Sequence, residues 1–254
     1  AHANPYEVSG IAVDVEAENA VMARELAIEQ AQQEGLRELL ERLTVPSYYG
    51  QLPSPGQQLM SRLVSGFEVE QESLSATRYV GELSVVYEAT AVQDMMQGSG
   101  VPIAIDLPPS LLIVPAVDMA GGLAVFTGPD GWRNAWAEEA GRNTLLDIRL
   151  PLGDLDDLRT LSGEALNRQP ETALADAAAR YGTEAAMLVV ANPDDPEVPS
   201  QVTVAMGRAH GWSTPVDSDT VAPGGEPEVV WAAAVRRFMN GIESQWKADN
   251  GVLT

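Results

Sequence analysis

Between Tyr6 and Tyr87 the apolar residues switch from a spacing of two to one of three and four and back again, which limits what the chain can build. Residues 6–15 alternate around Val8, Ile11 and Val13 and read as a strand. Asn19 then caps a long helix in which Met22, Leu26, Leu36, Leu39, Leu40 and Leu43 recur at helical spacing, with Ala23, Ala27 and Ala31 between them. The helix stops near Thr44, ahead of Pro46. Residues 48–56, rich in Pro and Gly, form a loop into a short helix carrying Leu59, Met60, Leu63 and Val64. Residues 67–74 and 79–87 are again period-two and pair as an antiparallel hairpin, followed by a short helix with Met95 and Met96. The expected order is β-α-α-β-β-α, an antiparallel sheet with helices on one face, over residues 1–98.

Gly98-Ser99-Gly100 breaks this pattern, and residues 99–109, with Pro102, Pro108 and Pro109, read as an extended connector. Residues 110–254 then alternate strand and helix. Leu111–Val114 is a short run of the kind buried on both faces, and 144–150, 186–190 and 201–206 are further strands. Helices are expected at 132–140, 155–161 and 171–180, the last closed by Gly182 in the left-handed conformation. Residues 210–227 read as loop, and 229–247 as a final amphipathic helix with Trp231, Val235, Phe238, Ile242 and Trp246. The fold class is therefore an α+β unit followed by an α/β unit with a mixed sheet.

The motifs Tyr6-x-Val8-x-Gly10-x-x-Val13, Leu39-Leu40-x-Arg42-Leu43-Thr44 and Pro108-Pro109-Ser110-Leu111-Leu112-Ile113 occur in an order and spacing that covers the first half. Pro151-Leu152-x-Asp154-Leu155-x-Asp157-Leu158 and Ala178-Ala179-Arg180-Tyr181-Gly182 continue it through the second. Together they resemble an uncharacterised exported family of Gram-negative envelopes, domain of unknown function two-zero-six-six. The resemblance implies an exported protein and brings no catalytic residues. In layout the second unit is also similar to small α/β domains of envelope assembly proteins, such as the amino-terminal domain of TolB, an analogy of fold that does not carry function.

The chain opens Ala1-His2-Ala3-Asn4-Pro5, a pattern that signal peptidase leaves, and is expected to be periplasmic after cleavage of a signal peptide. No apolar run reaches the roughly 18 residues that a membrane-spanning helix needs. There is no cysteine, so disulfides, thiolate nucleophiles and thiolate zinc sites are excluded. Thirty-seven acids stand against 15 bases, a net charge of −22, with Lys247 the single lysine. That field repels phosphate, so nucleic acid is not an expected partner. The acids are spread along all 254 residues, as on a self-repelling, solvated surface.

Catalytic constellations are scarce. Of two histidines, His2 lies in the terminal segment and His210 in a loop beside Gly211-Trp212, with no Gly-x-Ser-x-Gly elbow to serve. Ser244-x-x-Lys247 matches a serine-lysine pattern but lies on the last turns of a helix, where a cation complements the dipole. Gly121-Gly122 and Gly224-Gly225 lack the frame of a phosphate loop. Asp154, Asp156 and Asp157 sit at a helix start and serve its free N–H groups; they and Asp194-Asp195 are also the candidates for an opportunistic calcium site. Trp132 and Trp136, four apart with Arg133 between them, read as a core stripe or, alternatively, as an exposed aromatic anchor for a protein partner. The expectation is a non-catalytic binding or assembly module of the cell envelope, without cofactor, and with a protein partner. The alternatives are a hydrolase using an Asp/Glu carboxylate pair and an acidic cation-binding module.

Overall fold

The structure is a computed structural model that describes residues 4–128, 130–140, 144–213, 219–221 and 226–252. The chain divides into two units, the first comprising residues 1–107 with 250–254 and the second residues 108–249. Helices and strands in both give an α+β fold, antiparallel in one sheet and mixed in the other.

In the first unit β1 (Glu7–Glu16), β2 (Val64–Leu74) and β3 (Arg78–Tyr87) form a three-stranded antiparallel sheet in the order β1-β3-β2. The long helix α1 (Ala20–Leu43) starts where Asn19 Oδ1 accepts the Met22 N–H and ends at Thr44, whose N–H reaches the Leu40 carbonyl. Its alanines 23, 27 and 31 are fully buried, so the helix backbone lies close to the sheet. Arg42 near its C-terminus donates to the carbonyls of Pro5 (3.0 Å) and Glu7 (2.7 Å), tying the entry of β1 to the end of α1. A 3-10 turn at Pro46–Gln51, α2 (Gln57–Leu63) and α3 (Ala89–Ser99) complete the helical elements.

Gly35 is the tightest point of this packing. The Tyr87 hydroxyl crosses the helix there and donates to the Gln32 carbonyl at 2.7 Å. A Cβ at residue 35 would stand 2.6 Å from that hydroxyl and 2.7 Å from Ile11 Cδ1. A glycine inside a helix is therefore required by close approach, against its poor helix propensity. After α3 the chain runs through the two-residue strand β4 (Ile103–Ala104).

The second unit is built on β5 (Leu111–Met119), which continues past the expected Val114 and through Pro115. Proline is tolerated because the flank of β5 away from β8 is paired only at residues 111–112, by β7, and at 117–119, by β6. Its missing N–H falls in the gap. β6 (Gly122–Ala124) is a hairpin partner, α4 (Gly131–Glu139) follows, and the expected strand at 144–150 contracts to β7 (Ile148–Arg149). Three short helices come next, α5 (Leu155–Thr160), α6 (Gly163–Arg168) and α7 (Pro170–Tyr181). Gly182 closes α7 at φ 63°, the left-handed cap expected from the sequence. β8 (Ala185–Pro193) then runs parallel to β5, and β9 (Val202–His210) antiparallel to β8. β10 (Asp219–Val221), inside the stretch read as loop, adds an edge strand to β9. The sheet order is β10-β9-β8-β5-β6, with β7 on β5.

Alternation along β5 and β8 creates two cores. Leu111, Ile113, Val117, Met187 and Val189 face α4 and α8 (Pro227–Asn250), whereas Leu112, Val114, Ala116, Ala186 and Leu188 face α6 and α7. The second unit is a three-layer α/β arrangement. Beyond α8, β11 (Gly251–Val252) pairs with β4, so residues 250–254 group with the first unit although the sequence reading placed 110–254 together. Two-residue strands carry no periodicity that a sequence pattern could register.

Gly35→Ala is expected to destabilise the chain by about 1–3 kcal/mol through overpacking against Tyr87. Gly98→Ala in α3, where a Cβ meets nothing within 4 Å, is expected to be neutral or to stabilise by up to about 1 kcal/mol. Urea unfolding of the two variants side by side checks the contrast.

Candidate functional site

The aromatic pair expected at the start of the second unit lies in the core. Trp132 is 1% and Trp136 0% exposed, because α4 rests on the sheet and its four-residue stripe turns inward. Trp132 stacks edge-on against Trp136 at 5.7 Å and packs on Trp231 at 5.6 Å, and Trp136 meets Phe238 at 6.1 Å. Arg133 lies over the Phe126 ring and donates to the Leu152 carbonyl at 3.1 Å. The reading of Trp132, Arg133 and Trp136 as an exposed anchor for a partner is thereby corrected: the two rings are core residues, and the arginine supports a neighbouring loop.

The other sequence candidates are absorbed by structure. Asp154 caps α5, accepting from the N–H groups of Asp156 and Asp157 at 3.1 Å, and pairs with Arg180. Its hydrogen bond from Arg180, with the Asp157 N–H behind it, holds its carboxyl below the usual range. Asp157 is buried and is held by Arg180, by the Tyr181 hydroxyl at 2.5 Å and by the Gly153 N–H at 2.8 Å. Asp194 accepts from the N–H groups of Asp195, Ser200 and Gln201 at 2.9 to 3.0 Å and from the Ser200 hydroxyl, which closes the β8–β9 loop. Lys247 is buried, with Nζ 2.7 Å from Glu243 Oε1, an ion pair rather than a base beside Ser244. His210 ends β9, exposed, and His2 lies outside the described residues. Among the described residues no three carboxylates or histidines gather as metal ligands would.

A different place on the second unit gathers unspent chemistry. A cleft of about 310 Å³ opens where α4 and α8 begin, beside the β8–β9 loop. Asp130, Asn134 and Glu138 come from one side of α4, Glu228 and Trp231 from the first turns of α8, and Glu197 from the loop. The four acids are exposed and none forms an ion pair among the described residues. Glu228 is accounted for by the start of a helix. Asp130 sits at the N-cap position of α4 without making a side-chain cap bond, and Glu138 lies in the last turn, where the dipole disfavours an acid. Trp231 is 2% exposed and its indole N–H has no hydrogen bond among the described residues.

The spacing of Asp130, Asn134 and Glu138 is the sequence signal for this polar edge of α4, opposite the Trp132 and Trp136 stripe. Nothing local linked that edge to Glu197 and Glu228, which the fold supplies. A second concavity, about 240 Å³ between α1 and α2 in the first unit, is lined mainly by glutamines and offers less chemistry.

No protein-family model matches this chain, and no curated protein matches it. Among solved structures it is similar to a competence-damaged protein (CinA) superfamily protein from Enterobacter cloacae. That likeness covers 62% of this chain and 89% of the other, at 14% identity and a TM-score of 0.28, too distant to carry an argument about function.

Hydrogen bonds to Asp194, from Ser200 first and Gln201 next, lower its carboxyl to about 2. A depressed folded value means stability that is complete above the unfolded value of roughly 3.9 and lost as pH falls through the folded one. Tm is expected to drop between pH 4 and 2, and Asp194→Asn to flatten that slope, as thermal melts across the range will read. Asp154, also lowered, keeps part of the slope in the variant.

Proposed function

We propose that this protein is a non-catalytic binding or assembly module of the cell envelope, exported to the periplasm, and that the cleft at the starts of α4 and α8 is its binding surface. The observation that carries the reading is the contrast between spent and unspent polar groups. Asp154, Asp157, Asp194 and Lys247 are tied into hydrogen bonds and ion pairs that hold loops and helix ends. The cleft instead leaves four carboxylates and an indole N–H without partners among the described residues. A concave surface with a few convergent polar groups is the usual form of a binding site. A carboxylate hydrolase calls for one acid shielded from water so that it stays protonated, and all four cleft acids are exposed. The motif resemblance to an exported envelope family supports the location. No helix among the described residues is long and apolar enough to cross a membrane.

A photo-crosslinking residue at Asn134, in the cleft, compared with one at Glu171 on α7, tests this. Periplasmic extract is expected to give an adduct of discrete mass at position 134 and none at 171. Equal adducts at both positions, or none at either, overturn the assignment.

A further inference from the structure

We infer that the cleft receives a basic segment of a partner protein, an arginine or lysine side chain seated among Asp130, Glu138, Glu197 and Glu228 while a backbone carbonyl of the same segment accepts from the Trp231 indole. This names the occupant of the surface proposed above and rests on that reading. Charge sets the first requirement. Four unpaired carboxylates on one cleft of a chain with net charge −22 attract a cation and repel phosphates and acidic peptides. A bare divalent ion does not meet it, because no three of the described acids converge as ligands. An organic cation on a flexible stem reaches separated carboxylates one or two at a time.

Trp231 sets the second. The indole nitrogens of Trp136 and Trp212 are sealed from solvent, whereas that of Trp231 is not among the sealed ones, although the ring itself is buried. Gly131 lies close against this edge, where a Cβ would stand 2.3 Å from Trp231 Nε1. Both residues line the cleft, so the missing side chain leaves the Nε1 edge of Trp231 without a Cβ over it there. A donor beside carboxylates suits a ligand carrying both a positive charge and a neutral acceptor, and a peptide backbone with a basic side chain has that pairing. At about 310 Å³ the cleft is at the small end of ligand sites, of a size for one or two residues of an extended segment.

The probe is a fluorescent acetyl-Gly-Arg-Gly-Arg-Gly-amide peptide, followed by anisotropy at low and physiological salt, with a citrulline version as the neutral control. Wild-type chain is expected to bind the arginine peptide, more weakly as salt rises, and to bind the citrulline peptide far less. The cleft variant Glu138→Gln/Glu197→Gln/Glu228→Gln is expected to lose about tenfold in affinity, from three exposed charge contacts. Glu164→Gln/Glu171→Gln/Asp176→Asn, the same charge change on α6 and α7, is expected to lose little. Trp231→Phe, which keeps an aromatic ring, though a smaller one, and removes the donor, should cost about fivefold, one hydrogen bond's worth. Equal losses in the two triple variants would reduce the attraction to the general field and overturn the site. Equal binding of the citrulline peptide overturns the charge requirement. If wild type ignores the arginine peptide while the Asn134 crosslink persists, the occupant is wrong and the binding surface stands; if both fail, the surface falls too.

Discussion

Leu111–Val117 and Ala185–Ala191 lie side by side as parallel strands with almost no polar side chain on either face, and a sheet centred on such a pair has to be covered twice. The layered form of the second unit follows from that demand. One cover is α4 with α8, the other α6 with α7, and the polar bonds between elements serve to hold these covers at their ends. Arg180, pinned by Asp154 and Asp157, secures α7 to the start of α5, and Tyr181 and Arg149 extend the same knot, the latter donating to the Tyr181 carbonyl at 2.7 Å. Replacing Arg180 would leave the buried Asp157 carboxylate without its countercharge. Two covering helices that begin near one another leave a notch between their first turns, and the acidic cleft is that notch.

The long-period elements were legible in the sequence because each carries its own punctuation. Asn19 and Thr44 bound α1, Gly182 ends α7, and the hairpin from Phe67 to Tyr87 shows its alternation plainly, although β2 starts at Val64, which the sequence places in the short helix before it. Elements that depend on a neighbour were not. The sequence run behind β5 stops at Val114, and only the pairing pattern around Pro115 explains why the strand continues. β7, β10 and β11 are two or three residues long and exist because another strand offers them a ladder. At the site the difficulty was of another kind. In a chain with 37 acids no single carboxylate signals itself, and the four that line the cleft are separated by up to about a hundred positions before folding gathers them. Trp132 and Trp136 stood out by their four-residue spacing and proved to be packing residues, as is Trp231, whose Nε1 edge lies against Gly131.

The surplus of negative charge takes on two meanings in this structure. Most acids are exposed along helices and strand edges, several answered by nearby arginines at helical spacing, such as Arg37 with Glu41 and Arg168 with Glu164. Such pairs add little stability and are screened by salt. With only 15 basic residues for 37 acids, most carboxylates have no possible partner within the chain, so an unpaired acid is informative only where geometry gathers several around a concavity.

The pairing of Gly251 and Val252 with Ile103 and Ala104 makes the first unit discontinuous in sequence, with the whole of residues 108–249 spliced between two of its strands. During synthesis the β1-β3-β2 sheet and α1 emerge before residues 108–249, whereas the β4–β11 hydrogen bonds of that unit wait until the second has been made. A ribosome that stops within α8 therefore releases a first unit without the strand that pairs with β4.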